Sequence, residues 1–163
     1  MTQWTTEPPQ LTDEDERVYA AEEEALYTFY DWNADYPDRL PQDEVEAFVR
    51  KALKGAGWAF VKLPEIRVDL PDDDWRAANF HVGEDGQYFN FHPMCLNPFT
   101  ILHEIAHWLR PMDGHGPEFR GANVGLVRAA LGEDAASFML DRYAAFELTV
   151  DTSFSSFPPG TDS

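Results

Sequence analysis

Apolar residues recur at three- and four-residue intervals through much of this chain, and that spacing predicts helices. Thr12 and Asp15 form a capping-box signature for a helix running to about Trp32, with Val18, Ala25, Phe29 and Trp32 on its core side. Glu22, Glu23 and Glu24 fall on what reads as a solvated face. Pro37 and Pro41 mark a turn. A second helix is expected from Gln42 to Lys54, with Val45, Phe48, Val49, Ala52 and Leu53 inward, stopped by Gly55 and Gly57. The period then shortens. Trp58–Leu63 and Glu65–Leu70 read as strands around Pro64, and Asn79–Val82 with Gln87–His92 as a hairpin around Gly83-Glu84-Asp85-Gly86.

Helical spacing returns at Asn97-Pro98, an N-cap followed by proline at the first helical position. Ile101, Leu102, Ile105 and Leu109 carry that helix to Pro111. Two more are expected, at about Pro117–Leu131 and Asp134–Leu148, separated by Gly132. Residues 1–11 read as a flexible leader, 12–150 as a single domain and 151–163 as a flexible tail rich in Ser, Pro and Gly. The order of elements predicts a compact α+β fold, a small, mainly antiparallel sheet packed with helices.

Composition supports one folded domain: 163 residues, 44% hydrophobic and 14% aromatic. The net charge of −18 changes the picture of partners, because such a field repels phosphate backbones. Nucleic acid is therefore not expected, and basic peptides are favoured over acidic ones. Cys95 is the single cysteine, so no internal disulfide is possible; it reads as a small buried hydrophobe. No apolar run approaches membrane-spanning length and no signal segment opens the chain, which points to a cytoplasmic protein without membrane association. Asp72-Asp73-Asp74 lacks the spaced ligands and glycine of a calcium loop and reads as a solvated turn.

The chemistry is concentrated in His103-Glu104-Ile105-Ala106-His107, an HExxH motif. Residues four apart share a helix face, so both imidazoles can reach one cation, while Glu104 projects beside it. Zinc held in this way polarises a carbonyl and acidifies its water, and a neighbouring carboxylate such as Glu104 can take the proton. Catalytic zinc takes three protein ligands and leaves one position open. His115, in Gly114-His115-Gly116-Pro117-Glu118-Phe119, is the leading third ligand, with Asp113 and then Glu118 as rivals. His81 and His92 sit at alternating positions on the hairpin and could touch a substrate. Arg110, Tyr88 and Tyr143 are further candidates for stabilising an oxyanion.

HEIAH followed by GHGPEF resembles the SprT-like and Spartan-type zinc metalloprotease domains, in which HExxH is followed by HGxxF. The resemblance covers about residues 66–132 and implies a zincin-like fold. It also implies that His115 completes the metal site with His103 and His107, and that Phe119 is a packing anchor. The gap between the two motifs is shorter here, and the basic DNA-binding segments of Spartan-type proteins have no counterpart. The whole chain, including Arg17-Val18-Tyr19-Ala20-Ala21-Glu22, is also similar to small HExxH metallohydrolases of actinobacteria and their phages. The leading expectation is a zinc-dependent metallopeptidase acting on a peptide or protein through Glu104. The alternatives are a zinc hydrolase of a non-peptide amide and a non-enzymatic, acidic, virion-associated module keeping zinc for structure. In zincin-like folds an edge strand beside the metal pairs with an extended peptide, and the hairpin before Asn97 is the candidate edge.

Overall fold

A computed structural model describes residues 10–74 and 76–151. The opening helix α1 spans Asp13–Trp32, and its capping box is present: Thr12 Oγ1 accepts from the Asp15 N–H (3.0 Å) while Asp15 Oδ2 accepts from the Thr12 N–H (3.2 Å). A short 3-10 turn at Gln42–Glu44 leads into α2 (Val45–Gly55). Three strands follow, β1 (Glu65–Arg67), β2 (Ala78–Gly83) and β3 (Gly86–Phe91). The remaining described elements are α3 (Pro98–Leu109), α4 (Pro117–Leu131) and α5 (Glu133–Ala145). The α+β expectation holds, and no described helix is long and apolar enough to cross a membrane.

The sheet order is β1-β3-β2. β2 and β3 pair antiparallel around a two-residue turn at Glu84-Asp85, where Gly86 takes φ +113°, while β1 runs parallel to β3. Helices α1 and α5 pack on each other, and α4 packs against α2, α3 and α5. Between them lie Val18, Phe29, Val49, Trp58, Ile101, Leu102, Ile105, Leu126, Val127 and Met139, all buried. The core therefore belongs mainly to the helices, and the small sheet meets the end of α3 where Phe89 lies edge-on to Trp108 (5.9 Å).

Four expectations are corrected. Trp58–Leu63 does not form a strand: the Trp58 N–H donates to Leu53 O (2.7 Å) and the Val61 N–H to Trp58 O (3.0 Å), curling the segment into a turn with Trp58 buried. Only Glu65–Arg67 of the next predicted strand pairs. Trp32 is 79% exposed, because the helix ends there and its last turn overhangs the core. Helix α5 stops three residues early, at Ala145, as Glu147 takes φ +60° and the Leu148 N–H reaches back to Tyr143 O (2.9 Å).

Candidate metal centre

Helix α3 starts where the sequence predicts: the Asn97 side chain accepts from the Phe99 N–H (2.9 Å), with Pro98 at the first helical position. Its buried residues, among them Ile101, Leu102, Ile105 and Ala106, fix the helix against the core and leave His103, Glu104 and His107 on the face towards a cleft. His115 arrives from the loop between α3 and α4. The three Nε2 atoms form a triangle with edges of 3.1 Å (His103–His107), 3.0 Å (His107–His115) and 3.2 Å (His103–His115). A tetrahedral ion with bonds of about 2.0–2.1 Å separates its donors by ~3.3 Å, so the triangle has the size of a metal-ligand set. Among the described residues this is the only such group, and neither Asp113 nor Glu118 belongs to it.

Asp113 has other work. Its Oδ2 accepts from the Glu118 N–H (2.8 Å) and the Phe119 N–H (3.0 Å), capping α4 from outside the helix. That cap explains Gly116: a Cβ there would meet the Asp113 carboxylate at 2.6 Å. Glu118 lies in the first turn of α4, where the helix dipole favours an acid.

The far side of each of two imidazoles is held by a carboxylate from α1. His103 Nδ1 lies 2.6 Å from Glu22 Oε1, and His115 Nδ1 lies 2.7 Å from Asp15 Oδ1. Glu22 in turn accepts from the buried Tyr143 hydroxyl (2.7 Å), which accepts from Asn123 Nδ2 (3.2 Å). Buried Arg120 donates to His115 O (2.6 Å) and Thr149 O (2.7 Å), tying the His115 loop to the chain's return. Phe119 lies beside all three rings, with centroids 4.9, 4.4 and 5.1 Å from those of His103, His107 and His115.

These contacts decide where protons sit. A carboxylate can only accept, so Nδ1 of His103 and of His115 must carry hydrogen. In the neutral rings both Nε2 atoms then present lone pairs to each other at 3.2 Å. His107 Nε2, within 3.1 Å of both, brings at most one hydrogen to a triangle of three contacts. Such a nest of converging nitrogens favours a positive charge at its centre. Burial opposes the charged form of His103, but Glu22 and Glu104 outweigh it and raise its pKa above the ordinary value. His107, buried and facing His103 and His115, falls to about 3. The donor set, nitrogen on three sides with two rings oriented by carboxylates, fits a divalent metal ion.

Glu104 stands beside this triangle with no hydrogen-bond partner among the described residues, its carboxyl pKa raised by burial and by Glu22 against the opposing pull of His103. It forms part of the wall of two cavities, which also share His107 and Ala78. One, of about 550 Å³, is bordered by Tyr19, Glu22, Glu23, Arg76 and Thr100. The other, of about 800 Å³, is bordered by Phe60, Val61, Phe80, Phe89 and Trp108. Strand β2 forms the rim of both. It lies at the sheet edge, and the His92 N–H donates to Ala77 O (2.8 Å), so pairing to β3 falls on residues 77, 79 and 81. The alternation of an antiparallel ladder turns the backbone groups of Ala78, Phe80 and Val82 to the edge that no other described strand covers.

Other sequence candidates lie elsewhere. His81 stacks on Tyr88 and approaches Asp85 (3.3 Å), and His92 Nε2 lies 2.7 Å from Asp72. Tyr88 carries the Arg67 guanidinium 3.7 Å from its ring centroid. Arg110 donates to Leu109 O (2.8 Å) and lies over Trp58. Cys95 is half-buried rather than buried; burial and the nearby Glu104 push its thiol pKa up. Reading from sequence missed three α1 residues. Glu22, assigned to a solvated face, has a side chain only 13% exposed. Asp15 is both helix cap and partner of His115. Tyr19 stacks on His103 (5.7 Å) and meets His115 edge-on (5.0 Å), and burial followed by Glu104, Glu22 and Asp15 raises its hydroxyl to about 12. Their spacing of four and three residues, one helix face, was the available signal.

Comparison with known proteins gives no matching family model, no matching curated protein and no matching solved structure.

Proposed function

We propose that the protein is a zinc-dependent metallopeptidase with a zincin-like fold, using His103, His107 and His115 as metal ligands and Glu104 as general base. The observation that carries this reading is the Nε2 triangle beside a carboxylate with no partner among the described residues, opening on a cleft rimmed by β2, the edge strand of the described sheet. When bound, zinc supplies Lewis acidity towards a carbonyl and towards water. Glu104 takes the proton of the attacking water and delivers it to the leaving amine; its raised pKa brings that exchange nearer neutral pH. The neutral Tyr19 hydroxyl, on α1 and bordering the same cavity as Glu104, is a donor that can meet charge developing on the carbonyl oxygen. An extended peptide pairs with the outward backbone groups of Ala78 and Phe80. With a net charge of −18, the substrate is a peptide or protein, preferably basic, and not a nucleic acid.

Glu104 has no hydrogen-bond or ion-pair partner among the described residues and is not one of the three nitrogen donors, so Glu104→Gln keeps the metal content and the helical fold. Turnover of a broad peptide library falls by about 10²–10⁴-fold, as expected for loss of a general base. Equal activity in wild type and variant, or a purified chain that takes up no zinc, overturns the reading in favour of an acidic interaction module.

A further inference from the structure

The two cavities beside Glu104 differ in chemistry, and that difference carries information about the substrate. The larger, about 800 Å³, is walled by Val61, Phe80, Phe89 and Trp108, with Phe60 at its mouth. Its volume lies within the range of small-ligand sites, and apolar walls with a few polar groups are the usual make-up of such a site. The smaller cavity carries Glu22, Glu23 and Arg76, with Arg76 bound to Asp74 (2.6 Å) and to Asn79 (2.9 Å). His107 and Glu104 stand where the two meet.

We propose that the larger cavity receives a large apolar or aromatic substrate side chain on one side only of the cleaved bond, with Phe60, Val61, Phe80 and Trp108 setting that preference. The inference rests on the peptidase reading and deepens it. Four separate segments build the wall: the turn after α2, strand β2, strand β3 and the end of α3. The turn is the telling part. With Trp58 anchored in the core, the chain holds Phe60 out at 69% exposure, which stands its ring at the mouth of the cavity. Phe80 is set by its tilted contact with Phe89 (4.7 Å), and Trp108 meets Phe89 edge-on (5.9 Å), so the walls are fixed by aromatic packing. A substrate strand paired along Ala78 and Phe80 alternates its side chains, which sends one of them into this cavity. The other cavity sets Glu22, Glu23 and Arg76 beside Tyr19, Leu26 and Phe99, and is the more polar of the two.

The experiment is a peptide-library digest by the zinc-loaded wild type and by Phe60→Ser and Phe80→Ser, with cleaved ends sequenced. In parallel, metal-free wild type is titrated with N-acetylphenylalanine amide and with N-acetylalanine amide while the Val61 and Ala78 methyl resonances are followed. The expected result is an apolar or aromatic residue on one side of the cut. That preference should fall tenfold or more in each variant, while residual cleavage of other peptides persists. The methyl signals should shift with the phenylalanine amide only. Cleavage with no one-sided apolar preference, or with a preference indifferent to both variants, overturns the cavity assignment and leaves the peptidase reading standing. If the wild type cuts no peptide, the peptidase reading fails. The cavity is then judged by the titration: a phenylalanine-specific shift upholds an apolar-ligand site, and no shift overturns it.

Discussion

The two walls of the cleft are built on opposite principles. On the helical wall, α1, α3 and α4 interlock: His103 and His115 are each gripped by a carboxylate, Phe119 lies against all three rings, and Tyr143 and Arg120 anchor what lies behind. On the other wall, the 58–64 turn and the free edge of β2 leave Phe60 and the outward backbone of Ala78 and Phe80 without such fixtures. A metal site needs ligands held to a fraction of an ångström, which favours side chains whose every polar atom is already committed. A wall that accepts varied partners needs open area instead. The contrast teaches that one cleft can be rigid around three histidines that could hold an ion and open along the wall that faces them.

Breaking the helical wall should have the largest effect on stability. Phe119→Ala removes a fully buried ring from beneath the imidazoles and should cost about 3–5 kcal/mol, read by urea unfolding of the metal-free protein. A loss under 1 kcal/mol would mean that the wall is looser than its contacts suggest. Next, Asp15→Ala should weaken metal affinity by about 10–100-fold, because His115 loses the group that orients it. Thr12→Ala separates the two duties of Asp15, costing helix stability while leaving metal affinity within a few-fold. Equal losses of affinity in both variants would show that the capped helix, rather than the carboxylate, matters.

The acid limb gives a smaller effect with a definite sign. In the chelated protein His107 has its folded pKa depressed to about 3 from the ordinary 6.5. A depressed pKa means that the neutral ring stabilises the fold fully above pH 6.5, and that this stability drains away as pH falls towards 3. His103, shifted upwards, works oppositely, its contribution being present below its ordinary value and lost as pH rises through the folded one. Chelated His107→Gln should therefore lose less stability than wild type between pH 6.5 and 4; parallel curves would refute the assignment. On the open wall, Phe60→Ser should shift unfolding by no more than ~0.5 kcal/mol, as expected for an exposed position. A larger loss would make Phe60 a packing residue and remove the contrast between the walls.

Much of the helical wall was legible in the sequence because its signals are local. The HExxH spacing, the Asn97-Pro98 start and the Thr12–Asp15 box each lie within a few residues of one another. What stayed hidden was long-range. Glu22 finds His103 across 81 residues and Asp15 finds His115 across 100, and no periodicity tells which acid on a polar face will meet a buried imidazole. The open wall misled for another reason. Trp58–Leu63 has strand composition, yet burial of Trp58 and its bond to Leu53 O pull the segment into a turn. A tertiary anchor there overrides local propensity, and the residues it displaces are the ones that line the larger cavity.

One carboxylate oxygen of Asp15 closes the first turn of α1 and the other reaches a histidine that the ribosome delivers 100 residues later. At a bacterial-to-eukaryotic pace of 5–20 residues per second, that interval is roughly 5–20 s. Throughout it, the face bearing Asp15, Tyr19 and Glu22 has emerged without the imidazoles that its two carboxylates will grip. The helix that orients the metal site is thus made first and finished last, and the nascent chain must keep it available until α3 and α4 arrive.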